Sequence, residues 1–220
     1  MNIKFSHPED TVVKNFPPVP IKKNLPNWYK SLPVMNGEEA TIKNCIPVQD
    51  ILTSGYLIVN SFEFELKKEK FEEIDRCPYR SNNENYIKHH AHQQCPVDIE
   101  GSKKDYFKIN HGWQIKTPPG YSCLFIQPPY RFNEDFELFP AIVDTDVYHD
   151  CVNFPGYIKT DEIITVEPGD PLIQVIPFKR DEWNLEVEKS TSNFPFFDFW
   201  LPKKIDKIYK THFHKKKKYN

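Results

Sequence analysis

Three short apolar runs between residues 117 and 178 each begin at a turn signal. Pro-Pro-Gly (118–120) precedes the first run, Pro140 the second, and Gly-Asp-Pro (169–171) the third. Short apolar runs bounded by Pro, Gly and Asp are typical of strands joined by tight turns. We therefore predict a mainly-β fold, in which the following residues lie on strands and are mostly buried: Leu124, Ile126, Ile142, Ile164, Val166, Ile173 and Val175.

Proline is abundant in this chain, with 20 prolines against 7 glycines. Because proline cannot donate to a sheet ladder, much of the chain must form turns, edges and extended connections. We divide the chain into an extended proline-rich arm (1–40), a mainly-β core (41–185) with a polar loop near 67–105, and an aromatic and basic tail (186–220). Ile205, Ile208 and Tyr209 share one helical face, which predicts a short basic helix in the tail.

The overall charge and hydropathy exclude some classes of partner. The formal net charge is −2, so no global field favours nucleic acid or a membrane. No run approaches the roughly 20 apolar residues of a membrane helix, and the start lacks the apolar segment of a signal peptide. We expect a protein of the host-cell cytoplasm or a virion component. The lysines at 215–218 predict only weak, salt-sensitive contact with nucleic acid.

The order of the three runs resembles the β-clip core of trimeric dUTPases and dCTP deaminases. The residues that carry the resemblance are the Pro-Pro-Gly turn at 118–120, the Ile-Val-Asp-Thr-Asp segment at 142–146, and the Gly-Asp turn at 169–170 before a strand containing Gln174. The resemblance covers about a third of the chain. It implies a dUTPase-like β-clip core and a homo-oligomer, with a trimer favoured.

The same resemblance implies catalytic residues, should the chain be a nucleotide-processing enzyme. Asp144 matches the aspartate that orients the attacking water, Asp146 follows it, and Tyr148 stands one place later than the tyrosine that stacks beneath the sugar. The phosphate-binding turn would fall at 128–131, but its serine and glycine are missing. No glycine follows Gly169, so the glycine-rich arm has no counterpart. No cofactor is expected, except Mg²⁺ under this enzyme hypothesis.

A second resemblance covers most of the chain. The Leu-Pro-Asn-Trp-Tyr-Lys segment (25–30), the block from 41 to 56 and the lysine-rich end resemble an uncharacterised family of tailed bacteriophages and some bacteria. It implies a phage context without an established reaction. Our first hypothesis is a non-enzymatic structural or assembly protein of phage type, with other phage proteins as possible partners. The alternative is a diverged nucleotide-processing enzyme.

A weaker alternative is a metal-dependent oxygenase on a cupin-like barrel. His89, His90 and His92 are clustered, and imidazoles suit Zn²⁺ or Fe²⁺. His90 and His92 would point the same way on a strand. A solvated polar loop explains the cluster equally well, and we expect no stoichiometric metal.

Aromatic residues at both ends are candidate contact anchors. The arm carries Trp28 and Tyr29 on a possible single helical turn, and the tail carries Phe197 and Trp200 in a dense aromatic cluster. So many rings must pack on the domain, on a sister subunit or on another protein. We expect at least one end to cross to a neighbouring chain.

Overall fold

The described chain forms short, mostly antiparallel strands with few helices, as this computed structural model shows. The structure describes residues 1–72, 74–94, 103–104, 106–189 and 209–220. The helices are α1 (Asp10–Asn15), α2 (Asn27–Ser31) and α3 (Ile46–Thr53). Three 3-10 turns (Ile21–Lys23, Ile42–Asn44, His92–Gln94) and one π-helical turn (Tyr209–Phe213) accompany them. The predicted mainly-β class is confirmed.

The described strands are, in chain order, β1 (Lys4–Ser6), β2 (Val19–Pro20), β3 (Met35–Asn36), β4 (Glu39–Ala40), β5 (Tyr56–Val59), β6 (Phe64–Leu66), β7 (Glu69–Phe71), β8 (Ile74–Arg76), β9 (Tyr79–Ser81), β10 (Ile87–His90), β11 (Lys103–Lys104), β12 (Tyr106–Asn110), β13 (Gln114–Lys116), β14 (Tyr121–Ile126), β15 (Phe136–Leu138), β16 (Ala141–Val143), β17 (Asn153–Ile158), β18 (Ile164–Val166) and β19 (Pro171–Lys179).

Two larger sheets enclose the core. One has the order β16-β14-β19-β5-β2 and the other β10-β12-β17-β15, and every pairing in both is antiparallel. Smaller sheets are β18-β6-β9, β11-β8-β7, β1-β13 and β3-β4. Both larger sheets contribute to one buried cluster, in which the rings of Phe125 on β14 and Phe154 on β17 lie 5.2 Å apart.

The predicted core residues all lie on strands, but their burial differs. Ile164, Val166, Ile173 and Val175 are buried as predicted. Leu124 and Ile126 are only half-buried, because the alternate residues of β14 face the core. Ile142 is 65% exposed, so its predicted burial is wrong. It lies on β16, which is an edge strand of its sheet.

The proline-rich arm is not continuously extended. It forms α1 and α2, and its strands β1 and β2 pair with β13 and β5. The expected extended conformation is not confirmed over the whole arm. Two of its prolines lie directly before helical turns, Pro20 before Ile21–Lys23 and Pro26 before α2. Proline near the start of a helix loses no hydrogen bond that the helix needs.

The segment predicted as a polar loop near 67–105 contains strands in its described part. That part holds the hairpin β7–β8 together with β9 and β10, which pair with β6 and β12. Polar side chains suit these strands because many of their positions are exposed. Most of the predicted C-terminal helix lies outside the described residues. No helix in the described part has the length and apolar character needed to cross a membrane.

Candidate functional site

Asp144 and Asp146 lie in the turn that follows the edge strand β16. The turn closes through the carbonyl of Asp144, which accepts from the backbone N–H groups of Val147 at 3.0 Å and Tyr148 at 2.8 Å. The antiparallel pairing of β14 with β19 places the ends of those strands beside this turn. Asp144 and Asp146 therefore meet residues from both neighbouring strands.

Arg180 directly follows β19 and bridges both carboxylates. Its guanidinium lies 3.0 Å from Oδ1 of Asp144, donates to Oδ1 of Asp146 at 2.8 Å, and forms a second bond to Oδ2 of Asp146. Ser122 Oγ donates to Asp144 at 2.6 Å, and Gly120 N–H donates to Asp146 at 2.8 Å. We call these five residues the Arg180 cluster. It is a closed network in which one cation serves two carboxylates.

The two carboxylates differ in their access to solvent. The side chain of Asp146 is 5% exposed and that of Asp144 is 56% exposed. The hydrogen bonds from Arg180 lower the pKa of Asp146 to about 2. The hydrogen bond from Ser122, followed by the one from Arg180, lowers the pKa of Asp144. Both groups are therefore ionised at neutral pH, and a carboxylate with so low a pKa is a weak general base.

Replacing Arg180 with methionine should make the protein less stable at neutral pH and less sensitive to acid. The low folded pKa of Asp146 contributes stability that is present above about pH 4 and is lost as the pH falls toward 2. Thermal unfolding of the wild type from pH 6 to pH 2 should show that loss, and the variant should show a smaller one. The matched control is Lys179→Met, which removes the neighbouring exposed ion pair with Asp181. Equal acid dependence in the wild type and Arg180→Met would contradict the bridging role.

A buried hydroxyl network holds the turn against β14. Oγ1 of Thr117 lies 2.8 Å from Oγ1 of Thr145, which also donates to Sγ of Cys123 at 3.3 Å. Thr117 N–H donates to the carbonyl of Thr145 at 3.2 Å. Thr117, Thr145 and Cys123 are all buried, so this network fixes the position from which Asp144 and Asp146 project.

Among the described residues, no side-chain hydrogen bond links Tyr148 to the Arg180 cluster. Its side chain is exposed, and its hydroxyl lies 3.4 Å from the carbonyl of Cys151, three residues along the same turn. The carboxylates are also a poor match for a resident Mg²⁺. Carboxylate oxygens are its preferred ligands, but both oxygens of Asp146 and Oδ1 of Asp144 already face the guanidinium of Arg180. One remaining oxygen of Asp144 beside a bound cation does not fit that ion.

The histidine cluster is divided between two elements. His89 and His90 end strand β10, where consecutive residues point to opposite faces, and His92 begins a 3-10 turn. His90 and His92 therefore do not lie on one strand, because the strand ends at His90. Burial, then the nearby charge of Lys108, lowers the pKa of His90. Among the described residues, no group of three or more His, Cys, Asp or Glu is arranged to hold a metal ion.

Three aromatic residues meet at the loop between β14 and β15, and one of them is exposed. Trp28 donates from Nε1 to the carbonyl of Tyr130 at 2.7 Å, and its ring lies 5.5 Å from that of Phe132. Phe132 is 67% exposed. We call Trp28, Tyr130 and Phe132 the Phe132 face. Clefts of about 380 Å³ and 410 Å³ flank it on two sides.

The loop that carries Phe132 has an unusual backbone. Tyr130 and Phe132 have positive φ values of 60° and 51°, a conformation that costs a non-glycine residue of order 1–3 kcal/mol. Arg131 between them donates to the carbonyl and the side chain of Asn24 in the arm. The arm therefore helps to hold Phe132 outward.

The predicted contact anchors have different positions. Trp28 is half-buried against the Phe132 face, so within this chain it ties the arm to the core. Tyr29 is buried, and Nζ of Lys43 lies 5.9 Å from the centre of its ring. Phe197 and Trp200 lie outside the described residues. Sequence reasoning found Asp144 and Asp146 but missed Arg180, Ser122 and Phe132, although a lone arginine directly after a predicted strand was a usable signal.

Comparison with known proteins gives likenesses in fold. No protein-family model and no curated protein matches the chain. The structure is similar to the native EIAV dUTPase, with a TM-score of 0.37, 8% identity, and coverage of 63% of this chain and 86% of that one. It is also similar to two mutant phage enzymes. The dUTPase of phage phi11 of S. aureus gives a TM-score of 0.35, 12% identity, and coverage of 64% and 84%. The dUTPase of Staphylococcus bacteriophage 80alpha, with dUpNHpp, gives a TM-score of 0.37 and 12% identity, and the match covers 87% of this chain and 89% of that one.

Proposed function

We propose that this chain is a non-enzymatic structural or assembly protein of phage type, which acts by contact with further copies of itself. The observation that carries the proposal is the bridging of both candidate catalytic carboxylates by Arg180. A carboxylate that orients an attacking water needs an oxygen free to accept from that water. Both oxygens of Asp146 face Arg180. Oδ1 of Asp144 faces Ser122 and Arg180, and these bonds lower the pKa of Asp144, so its other oxygen is a weak base toward water. In this proposal the cluster therefore holds the turn at the edge of the sheet.

The Phe132 face supplies the contact surface in this proposal. Aromatic side chains held rigidly at a surface lose little conformational freedom on binding and are common anchors of interfaces. Phe132 is held outward by its strained loop and by Trp28. We propose a homo-oligomer with a trimer favoured, as the β-clip resemblance implies. Other phage proteins are further candidate partners, in the host cytoplasm or in a virion.

Replacing Phe132 with serine should reduce the oligomeric state of the protein. The change removes the most exposed ring of the Phe132 face and leaves the core untouched. Truncating an interface anchor commonly costs about 2 kcal/mol or more of binding free energy, or roughly thirtyfold in the dissociation constant. Light scattering across a dilution series gives the measurement. Phe71→Ser is the matched control, since Phe71 is also exposed but lies on the hairpin strand β7.

Each outcome of this comparison either supports or contradicts the proposed contact role of Phe132. Dissociation of Phe132→Ser at concentrations where the wild type and Phe71→Ser stay associated supports the contact role. A wild-type protein that is monomeric at all concentrations, or a variant that associates like the wild type, contradicts it.

The second candidate function is a nucleotide-processing enzyme of the dUTPase or dCTP deaminase type. One observation favours it: Asp144 is 56% exposed, ionised, and positioned by Ser122. A ligand that competes for Arg180 would free this carboxylate. The two candidates differ in a single measurable property, the turnover of deoxynucleoside triphosphates.

A further inference from the structure

Residues 209–220 are seated on the body of the protein. Nε2 of His214 lies 3.0 Å from Oδ1 of Asp50 on α3, and Nζ of Lys217 bonds the other oxygen of Asp50. The ring of Tyr219 packs edge-on against Tyr56 at 6.0 Å. We call residues 209–220 the basic strap. These contacts of His214, Lys217 and Tyr219 hold the second half of the strap against α3 and β5.

The strap brings its lysines beside lysines from the opposite end of the sequence. Nζ of Lys22 lies 3.4 Å from Oδ1 of Asn220, and Lys22 and Lys23 belong to a 3-10 turn that contacts α3. Together the strap and this turn hold seven exposed lysines and no Asp or Glu. They are Lys22, Lys23, Lys210, Lys215, Lys216, Lys217 and Lys218. We call this surface the basic face.

The charge of the basic face is not balanced by the residues that contact the strap. Asp50 is the one carboxylate that the described contacts bring against the strap, and His214 and Lys217 already share it. The whole chain has a net charge of −2, whereas the strap and the 3-10 turn contain lysines and no carboxylate side chain. A concentrated positive surface attracts a polyanion even when the net charge of the protein is slightly negative.

Exposed rings lie among these lysines. Phe213 is 61% exposed and Tyr209 is partly exposed, both on the π-helical turn beside Lys210. Lysines that track phosphates, interleaved with rings on which bases can stack, are the combination that binds single-stranded nucleic acid. A ring of this kind is not needed for attraction to phosphates alone, so Phe213 favours a strand with unpaired bases.

We propose that the basic face binds single-stranded nucleic acid, with its lysines on the phosphates and Phe213 stacked on a base. This inference is independent of the assembly role proposed above. The sequence predicted only weak, salt-sensitive contact of the lysines at 215–218 with nucleic acid. The seated strap differs because it adds Lys22 and Lys23 to the lysines of residues 210–218 on one surface.

Binding of a labelled oligothymidylate of about 20 nucleotides to the full chain, followed by fluorescence anisotropy, tests the proposal. About five lysine–phosphate contacts predict a slope of log affinity against log salt of about −3.5, or roughly a hundredfold loss from 50 to 200 mM salt. Lys22→Ala/Lys23→Ala and Lys215→Ala/Lys216→Ala should each weaken binding about tenfold and flatten that slope by about 1.4. Lys88→Ala/Lys116→Ala, on β10 and β13, is the charge-matched control and should bind like the wild type.

Stacking is tested by Phe213→Ala, which should weaken binding to the oligonucleotide without changing the salt slope. Several results would overturn the proposal: no binding at 50 mM salt, equal loss in the Lys88→Ala/Lys116→Ala control, or no loss in the Lys22→Ala/Lys23→Ala variant. The last result would mean that Lys22 and Lys23 do not take part and that only the lysines of the strap bind. Binding to vesicles containing about 30% phosphatidylserine, without binding to the oligonucleotide, would replace nucleic acid by a membrane surface.

Discussion

Replacing Phe125 with alanine should lower the free energy of unfolding by about 3–5 kcal/mol. Phe125 is fully buried on β14, between β16 and β19, and its ring packs on Phe154 from the other larger sheet. The truncation removes the transfer free energy of the ring and leaves a cavity that neighbouring strands cannot fill without moving. Urea unfolding at pH 7 gives the measurement.

Ile142→Ala is the matched control for this prediction. Ile142 lies opposite Leu124 on the neighbouring strand β16, but its side chain is exposed. Its truncation should change the free energy of unfolding by no more than about 0.5 kcal/mol. Similar losses for Phe125→Ala and Ile142→Ala would mean that the core lies on the other face of this sheet.

Replacing Gly55 with alanine should cost about 4 kcal/mol or more, or prevent folding. Gly55 joins α3 to β5 with φ +78°, and an added Cβ would lie 2.1 Å from the carbonyl oxygen of Val175. That neighbour is backbone in the central strand β19, so it cannot rotate away. The yield of soluble protein and the unfolding midpoint measure the effect.

Gly37→Ala is the matched control, because it introduces backbone strain without a steric clash. Gly37 has φ +60° in the turn between β3 and β4, and nothing lies within 4 Å of its added Cβ. Only the cost of the left-handed conformation applies there, about 1–2 kcal/mol. If Gly55→Ala costs no more than Gly37→Ala, the close approach of Gly55 to β19 is not as described.

The strands were predictable because turn residues separate the apolar runs. Which face of each strand is buried was not predictable. The runs at 121–126 and 141–143 are strands, as the pattern indicated. In β14, however, Ser122 and Cys123 are both buried and Leu124 is half-buried, so hydrophobicity does not identify the core face. Which face is inner depends on the second sheet, and Phe154 lies 29 positions beyond Phe125 in the sequence.

The candidate site shows the same division between local and long-range information. The spacing of Asp144 and Asp146 in a turn was visible locally. Their partner Arg180 is 34 positions beyond Asp146, and only the antiparallel register of β14 with β19, which pairs Tyr121 with Lys179, brings it there. Sequence reasoning could therefore name the carboxylates but could not foresee that they are bridged.

The position of the basic strap on the protein could not be predicted from the local sequence either. A run of four lysines ordinarily indicates a solvated tail. Asp50 on α3 changes that result because its carboxylate receives both His214 and Lys217, more than 160 positions away.

The most direct test of the central claim is a pyrophosphate-release assay with dUTP and dCTP in the presence of Mg²⁺, run on the wild type, Asp144→Asn and Arg180→Met. The deaminase reaction is followed in the same samples by ammonia release. We predict no turnover by any of the three proteins, because the Arg180 cluster holds the turn and activates no water. Turnover by the wild type that is abolished in Asp144→Asn would contradict this account and establish the nucleotide-processing enzyme in its place.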